Sequence, residues 1–378
     1  MERYKCEKCG NEDINYFGLN NKRVYCRKCI SFHGKGATKR EIIKKQTIVN
    51  LDFSLSKNQE EISTNILKAY INKKNVLLNA VCGAGKTELV YKTIAYALSN
   101  GKQVGFVIPR KDVVIDLYPR IKKAFSSHKV VAVYGGHNEE LEGDIIILTS
   151  HQLYRYQNYF DYLIMDEADA FPYYNNLILN SMFKRSLKGN YLMMSATSLK
   201  EMENQIKKEN GEILYLNKRY HGHPLPVPKL IRCLFLKEAF LIYQFYKLFR
   251  LNKPIFVFCP TINECERIFK LLNFFFKNGD YVHSKRLNRE KIIRDFKDRK
   301  IKYLVTTSIL ERGVTVKDLQ VIIYKASHTL FDEKALIQIS GRVGRKSDAY
   351  DGEVILIGDY VSKQMEEAKR SIERSNSY

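Results

Sequence analysis

Short apolar runs, each closed by polar or turn residues, recur along most of this chain with longer mixed stretches between them. NVLLNA, QVGFVIP, VVAVYGG, DIIILTS and YLIMDEAD read as buried parallel strands. The run of alternation stops at His221-Gly-His-Pro-Leu-Pro-Val-Pro228, where Pro224, Pro226 and Pro228 crowd together. Proline at that density favours extended backbone and stops helices on both sides, so the segment reads as a linker. PIFVFCPT, DYVHS, KYLVTTS, LQVIIYKA and GEVILIGD then form a second set of strands, with FLIYQFYKLF and IFKLLNFFF as helices whose broad apolar face belongs in a core. The tail VSKQMEEAKRSIERSNSY reads as a polar helix that frays. Strand and helix alternation of this kind predicts α/β architecture, two tandem doubly wound parallel sheets that bind ligands at the carboxyl ends of their strands. The expected division is 1–50 as a small cysteine-rich module, 51–218 and 230–378 as two α/β domains, and 219–229 as the linker.

Two strings give the first domain its chemistry. Ala80-Val-Cys-Gly-Ala-Gly-Lys-Thr87 follows an apolar strand and opens a helical stretch, the setting a phosphate-binding P-loop requires. Gly83 and Gly85 let the backbone curl so that its N–H groups face phosphates, and the helix amino end adds positive potential. Lys86 would reach the β- and γ-phosphates of ATP, and Thr87 would offer its hydroxyl to Mg²⁺. Ala80 stands where the consensus opens with glycine, a minor change because the later glycines make the close approach. Asp166-Glu167-Ala168-Asp169 leaves a buried strand, which is costly for two acids unless they hold a cation. Asp166 would orient Mg²⁺, and Glu167 would polarise the attacking water. Gln59, upstream of the P-loop, has an amide suited to the adenine edge.

The second domain carries charge that a simple ATPase does not need. Gln338-Ile-Ser-Gly341-Arg342-Val-Gly344-Arg345 spaces two guanidinium groups so that both can meet one anion, and a γ-phosphate suits them. Arginines offered to ATP from another domain would couple hydrolysis to domain closure, and so to movement along a strand.

With these strings in family order, the chain resembles helicase superfamily 2, with two RecA-like domains. The resemblance runs through Gln59, AVCGAGKT, IPR (Pro109, Arg110), TSH (Thr149, Ser150), DEAD, SAT (Ser195 to Thr197), FCPT, TTSILERGVT and QISGRVGR. It implies that Ser195 and Thr197 link the ATP site to the strand-binding surface. It also implies that Arg110, Thr149, Ser150, Thr261 and Thr306 lie on loops contacting the sugar–phosphate backbone. Glu311, Arg312 and Gly313 fall in the segment bridging ATP and nucleic acid, and Gln338 falls on the nucleotide side. The letters DEAD suggest an RNA helicase of the DEAD-box group. That group has His where Gln338 stands and Ala-Arg-Gly-x-Asp in place of Glu311 to Thr315, and its Thr-Arg-Glu-Leu motif is missing. These departures favour a DNA motor.

Charge and cysteines sharpen the picture. Lys and Arg number 63 against 41 Asp and Glu, a formal net charge of +22 that points to a polyanion, either nucleic acid or an anionic membrane face. The first 50 residues hold 12 basic and 5 acidic residues and share the bias. No apolar run is long enough to span a bilayer, and the amino end lacks the apolar stretch of a secretory signal. A cytoplasmic protein is expected, peripheral at most to the inner membrane face. Of the eight cysteines, Cys82, Cys233, Cys259 and Cys265 are scattered in apolar segments, while Cys6-x2-Cys9 and Cys26-x2-Cys29 form two knuckles 16 residues apart. In a reducing compartment that spacing gives four thiolates around a structural Zn²⁺, and the metal would supply stability that so short a region lacks.

A four-cysteine module placed directly before a superfamily 2 core, together with DEADAFPYYNN, HGHPLPVP and LVTTSILERGVT, resembles the ComFA family of late competence proteins over nearly the whole chain. That resemblance implies ATP-driven import of single-stranded DNA through a membrane channel, with ComFC and DprA as partners. The rival is a primosomal restart helicase of the PriA kind, whose cysteines interrupt the second motor domain instead of preceding the first. A DNA-binding scaffold without catalysis and a protein held on membranes by charge are the readings from other classes.

Overall fold

The computed structural model describes residues 5–21, 23–197, 200–310, 314 and 316–377. Packing divides the chain into two compact units, one built from residues 1–80 and 85–216 and the other from 81–84 and 217–378.

The first unit begins with an antiparallel hairpin, β1 (Phe17–Asn20) and β2 (Arg23–Cys26). Its body is a seven-stranded sheet of β3 (Val76–Ala80), β4 (Val104–Ile108), β5 (Val130–Val133), β6 (Ile145–Thr149), β7 (Phe160–Met165), β8 (Leu187–Ser195) and β9 (Glu212–Leu216). Every pairing is parallel, in the order β5-β6-β4-β7-β8-β3-β9. β3, β4, β5 and β6 are buried at every position, as a sheet covered on both faces demands. The covering helices are α1 (Lys57–Ile71), α2 (Lys86–Leu89), α3 (Tyr91–Ser99), α4 (Lys111–Ala124), α5 (Leu177–Ser186) and α6 (Lys200–Lys208).

The second unit holds a six-stranded parallel sheet of β10 (Lys229–Arg232), β11 (Ile255–Phe258), β12 (Gly279–Val282), β13 (Tyr303–Thr306), β14 (Gln320–Tyr324) and β15 (Val354–Gly358). Its order is β10-β15-β14-β11-β13-β12. Five helices flank it: α7 (Lys237–Phe249), α8 (Ile262–Phe275), α9 (Arg289–Lys297), α10 (Glu333–Ser340) and α11 (Lys363–Asn376). On α7 and α8 the apolar face is core, as Leu241, Phe245, Leu248, Cys265, Ile268 and Leu272 are buried against Tyr303 and Ile322.

Three features depart from the sequence reading. β8, β9 and β10 join the sheets although none stood out as an apolar run, since β8 opens on the polar Lys188-Gly-Asn190 and the other two are half-exposed edge strands. The carboxyl tail does not fray: Ser362 caps α11, and Met365, Ala368 and Ile372 are buried in the second unit's core. The linker is pinned, with Leu225 exchanging both its backbone bonds with the Asn376 side chain at 2.8 and 2.9 Å.

The amino-terminal cysteines do not stand apart from the first unit. Cys9, Cys26 and Cys29 are buried in one core with Leu153, Tyr156 and Tyr173. Phe32 stacks on His151 with ring centroids 6.0 Å apart, the Tyr154 hydroxyl donates to the His33 carbonyl at 2.7 Å, and Ala37 N–H donates to the Arg155 carbonyl at 2.9 Å. Residues 34 to 56 then run along this unit without helix or strand.

Candidate nucleotide and metal sites

Parallel pairing brings the ends of the central strands to one edge. The register sets Asn79 opposite Ser195 and Met165 opposite Met193, so the loops after β3, β7 and β8 leave the sheet together. The loop after β3 is AVCGAGKT. Gly83 and Gly85 adopt φ of 83° and 75°, a conformation that side chains resist, and Gly85 is the cap residue of α2. Lys86, the first residue of α2, donates from Nζ to the Ala80 carbonyl at 3.3 Å, which turns its ammonium back over the loop. Thr87 follows in the same first turn.

The loop after β7 is DEAD. Asp166 is buried and accepts the Glu167 N–H at 2.8 Å. Burial pushes its carboxyl from an ordinary 3.8 up to about 6; the Lys86 ammonium opposes the rise, while Glu167 and Asp169 add to it. Glu167 has a φ of +52°, uncommon for a side chain larger than asparagine, and such backbone persists where its surroundings over-determine it. Here Ala168 N–H donates to the Met194 carbonyl at 3.0 Å and Ala170 N–H to the Glu167 carbonyl at 2.8 Å, which fixes the turn.

The loop after β8 is tied to this turn. Thr197 donates from Oγ1 to Asp169 Oδ2 at 3.1 Å, Ser195 donates from Oγ to the Thr197 carbonyl at 2.5 Å, and Thr197 N–H returns to Ser195 Oγ at 3.1 Å. The motif strings give Ser195 and Thr197 a linking role and give Asp169 none, yet Asp169 is the acid that ties them to the DEAD turn. Its signal was the fourth letter of an acidic string already singled out.

The remaining expected residues fall in varied settings. Gln59 is buried, and its Oε1 accepts Ser56 N–H at 2.9 Å in the capping box of α1. Arg110 follows β4 and is the extended cap residue of α4. Thr149 ends β6, and the buried Ser150 hydroxyl has no hydrogen-bond partner among the described residues. Thr261 caps α8 by accepting Glu264 N–H at 3.2 Å, and Thr306 is fully buried with Oγ1 donating to the Val282 carbonyl at 2.9 Å. Glu311, Arg312 and Gly313 lie outside the described residues.

On α10 and the turn after it, Gln338 is buried. Arg342 is 1% exposed and donates from Nη1 to the Val314 carbonyl. Arg345 is half-buried and donates from Nε to the Gly341 carbonyl at 3.0 Å. Arg219, which sequence reasoning placed in the linker without a role, reaches the same turn.

The four amino-terminal thiols meet as the spacing predicts. The sulfurs of Cys6, Cys9, Cys26 and Cys29 all lie within 4.8 Å of one another, with Cys6 to Cys29 at 3.6 Å and Cys9 to Cys26 at 3.7 Å. Without a cation, burial pushes the Cys9 thiol up to about 11 and Cys29 higher still. Four cysteine sulfurs gathered this closely, three of the four residues buried, fit a metal ion of the zinc type.

Comparison with known proteins agrees with this arrangement. Residues 52–200 match the family described as type III restriction enzyme, res subunit, and residues 237–347 match the helicase conserved C-terminal domain. Competence protein ComFA of Bacillus subtilis is 32% identical over 402 residues, spanning 99% of this chain and 86% of that protein. Competence protein ComFA of Streptococcus pneumoniae is 31% identical, spanning 98% and 90%. Among solved structures, S. cerevisiae Dbp5 bound to RNA and ADP BeF3 aligns with a TM-score of 0.65 at 18% identity, over 85% of this chain and 88% of that one. RecG bound to a three-way DNA junction aligns with a TM-score of 0.61 at 20% identity, over 88% and 47%. At those identities the two structures share a fold with this chain, two RecA-like helicase domains.

Proposed function

The chain belongs to the ComFA family of competence proteins and is an ATP-dependent helicase of superfamily 2, and from that premise we propose that it is a single-stranded-DNA translocase powering uptake of transforming DNA. The observation that carries this reading is the full-length similarity to ComFA proteins, cysteine module included, on a chain whose ATP loops are joined through Asp169 and Thr197. A PriA-like restart helicase loses support for the same reason, since the cysteines here precede the first sheet.

When bound, ATP supplies the phosphoanhydride bond and Mg²⁺ the charge neutralisation. Lys86 holds the β- and γ-phosphates, with Ala80, Gly83 and Gly85 shaping the loop around them. Thr87 and Asp166 would hold the magnesium, and Gln59 and Gln338 would lie on the nucleotide side. Glu167, presented on its left-handed turn, orients and polarises the attacking water. Arg342 and Arg345 answer the charge that develops on the γ-phosphate, Arg345 being the less buried of the two. Ser195 and Thr197 pass the state of the DEAD turn to the loops that hold the strand. Arg110, Thr149, Ser150, Thr261 and Thr306 mark those loops, where the positive net charge favours the sugar–phosphate backbone. Cys6, Cys9, Cys26 and Cys29 would hold Zn²⁺. No helix among the described residues is long and apolar enough to cross a membrane. The family resemblance points to the membrane DNA channel, ComFC and DprA as partners.

The test is ATP hydrolysis by the full chain with no nucleic acid, single-stranded DNA, duplex DNA or RNA, with Lys86→Ala as control. Selective stimulation by single-stranded DNA supports the proposal. Stimulation by RNA alone would return the chain to an RNA-helicase reading, and turnover indifferent to every nucleic acid would remove the motor.

A further inference from the structure

The first residues of the linker turn onto the backbone of QISGRVGR. Arg219 is 3% exposed. Its Nη1 donates to the Val343 and Gly344 carbonyls at 2.9 and 2.6 Å, and its Nη2 to the Gly341 carbonyl at 3.4 Å. The next side chain continues the grip, with the Tyr220 hydroxyl donating to the Arg345 carbonyl at 3.2 Å and accepting Ser347 N–H at 3.1 Å. His221 Nε2 lies 3.0 Å from the Gly344 carbonyl. Three consecutive residues thus hold the carbonyls of positions 341, 343, 344 and 345, the whole turn that carries Arg342 and Arg345.

Such a contact is expensive unless geometry requires it. Among the described residues no carboxylate pairs with Arg219, and burial pulls its guanidinium down to about 10 despite the carbonyls converging on it. Lysine could not replace it, because a point charge on a flexible stem cannot serve three carbonyls as a planar fork does. The Tyr350 backbone crowds the same turn. Gly344 has a φ of +66°, and a Cβ there would lie 2.1 Å from the Tyr350 carbonyl oxygen. The same Cβ would lie 3.0 Å from Arg219 Nη1, so the Tyr350 backbone and the Arg219 fork both close on Gly344.

We infer that Arg219 is a positioning residue for ATP hydrolysis, setting the turn from which Arg342 and Arg345 reach toward nucleotide, with Tyr220 as its second hold. This rests on the reading of those two arginines as groups for the γ-phosphate. Arg219 itself touches no reacting atom; its hydrogen bonds go to the backbone carbonyls beside the two arginines, while its stem lies beside Gly83, whose carbonyl accepts the Tyr220 N–H at 3.3 Å. It also follows closely on the last strand of the first unit, whose final residue is Leu216, so the chain leaving that strand is the chain that holds the turn carrying Arg342 and Arg345.

The experiment measures ATP turnover of the full chain with saturating single-stranded DNA for Arg219→Lys, Arg219→Ala, Tyr220→Phe and Arg345→Lys. For Arg219→Lys the inference expects kcat to fall about 10- to 100-fold, the effect of a misplacement near 1 Å. The KM for ATP and the affinity for DNA should stay within about twofold of the parent, as when an interaction made only in the transition state is lost. Tyr220→Phe should lower kcat less, also without changing KM. Added guanidinium should restore part of the kcat of Arg219→Ala, and methylammonium should not. Parental kcat in Arg219→Lys overturns the inference, as does a loss of DNA affinity and melting temperature together with no guanidinium rescue. If Arg219→Ala does not fold, Arg219→Lys and Tyr220→Phe decide the matter by the same split. A fall in Arg345→Lys with none in Arg219→Lys overturns the positioning role alone. Parental turnover in Arg345→Lys overturns the reading of those two arginines as groups for the γ-phosphate.

Discussion

Replacing Asp166 with asparagine should abolish ATP turnover and, in nucleotide-free protein at neutral pH, make the first unit more stable. The carboxyl titrates near 6 in the fold against an ordinary 3.8, a shift of about two units that already includes the favourable Lys86 charge and the Glu167 N–H. At roughly 1.4 kcal/mol per unit, keeping Asp166 charged in place costs about 3 kcal/mol. The sign follows from linkage. A group whose folded value lies above its unfolded one binds its proton more tightly when folded, so its stabilising contribution is complete below about 3.8 and is lost as pH rises through about 6. Asparagine keeps an oxygen for the Glu167 N–H and removes the charge, together with its repulsion from Glu167 and Asp169.

The assay is thermal unfolding without nucleotide or Mg²⁺ at pH 5 and pH 7.5, following the transition of the first unit. For a unit of this size each kcal/mol moves the midpoint by about 2–4 °C, so Asp166→Asn should melt about 6–12 °C above the parent at pH 7.5. The difference should shrink at pH 5, where the parent carboxyl is largely protonated. Added Mg²⁺ and ATP should close the gap from the other direction by stabilising the parent alone. A variant that melts at or below the parent at pH 7.5, with the same pH slope, would refute the reasoning.

Cys26→Ser should lose zinc on direct metal analysis and lower the melting temperature of the first unit, since Cys26 sits in the same core as Tyr156; full zinc retention excludes it as a ligand. Thr197→Val keeps the volume but removes the bond to Asp169, so basal ATP turnover should persist while its stimulation by single-stranded DNA falls several-fold; unchanged stimulation sinks the coupling role. Affinity for single-stranded DNA should fall along a steep log–log line with salt, and a flat line would point away from backbone binding.

How much of this was legible beforehand varied with burial. Strands covered on both faces announced themselves as apolar runs, so β3 to β7, β11 and β13 to β15 could be read directly, while β12, half-buried at the sheet edge, was legible only through the short DYVHS string. β9 and β10 could not, because an edge strand needs only one apolar face and looks like any mixed segment. The tail misled for a related reason. α11 shows a mostly charged surface, and its three buried residues, Met365, Ala368 and Ile372, fall at intervals of three and four within that background. The cysteine cluster was legible from spacing alone. Its burial against Leu153 and Tyr156 was not, since nothing in residues 1–50 marks the surface they cover.

Motif reading also merged two duties that the structure separates. Thr261 spends its hydroxyl as a helix cap, Thr306 spends its own across the sheet, and Gln59 spends its carbonyl oxygen on Ser56. A side chain committed in this way can serve a bound strand or base only with its remaining lone pairs or donors, or by shaping the backbone that does the binding. Ser150 differs, with a buried hydroxyl that has no partner among the described residues, beside Thr149 at the carboxyl edge of the first sheet. A buried hydroxyl left without a partner carries a desolvation cost of about 1–3 kcal/mol. That cost would be relieved by a ligand oxygen arriving at the same edge. Of the residues proposed for DNA, Ser150 is therefore the one whose hydroxyl still lacks a partner among the described residues, whereas Thr261 and Thr306 have committed theirs to a helix cap and to the sheet.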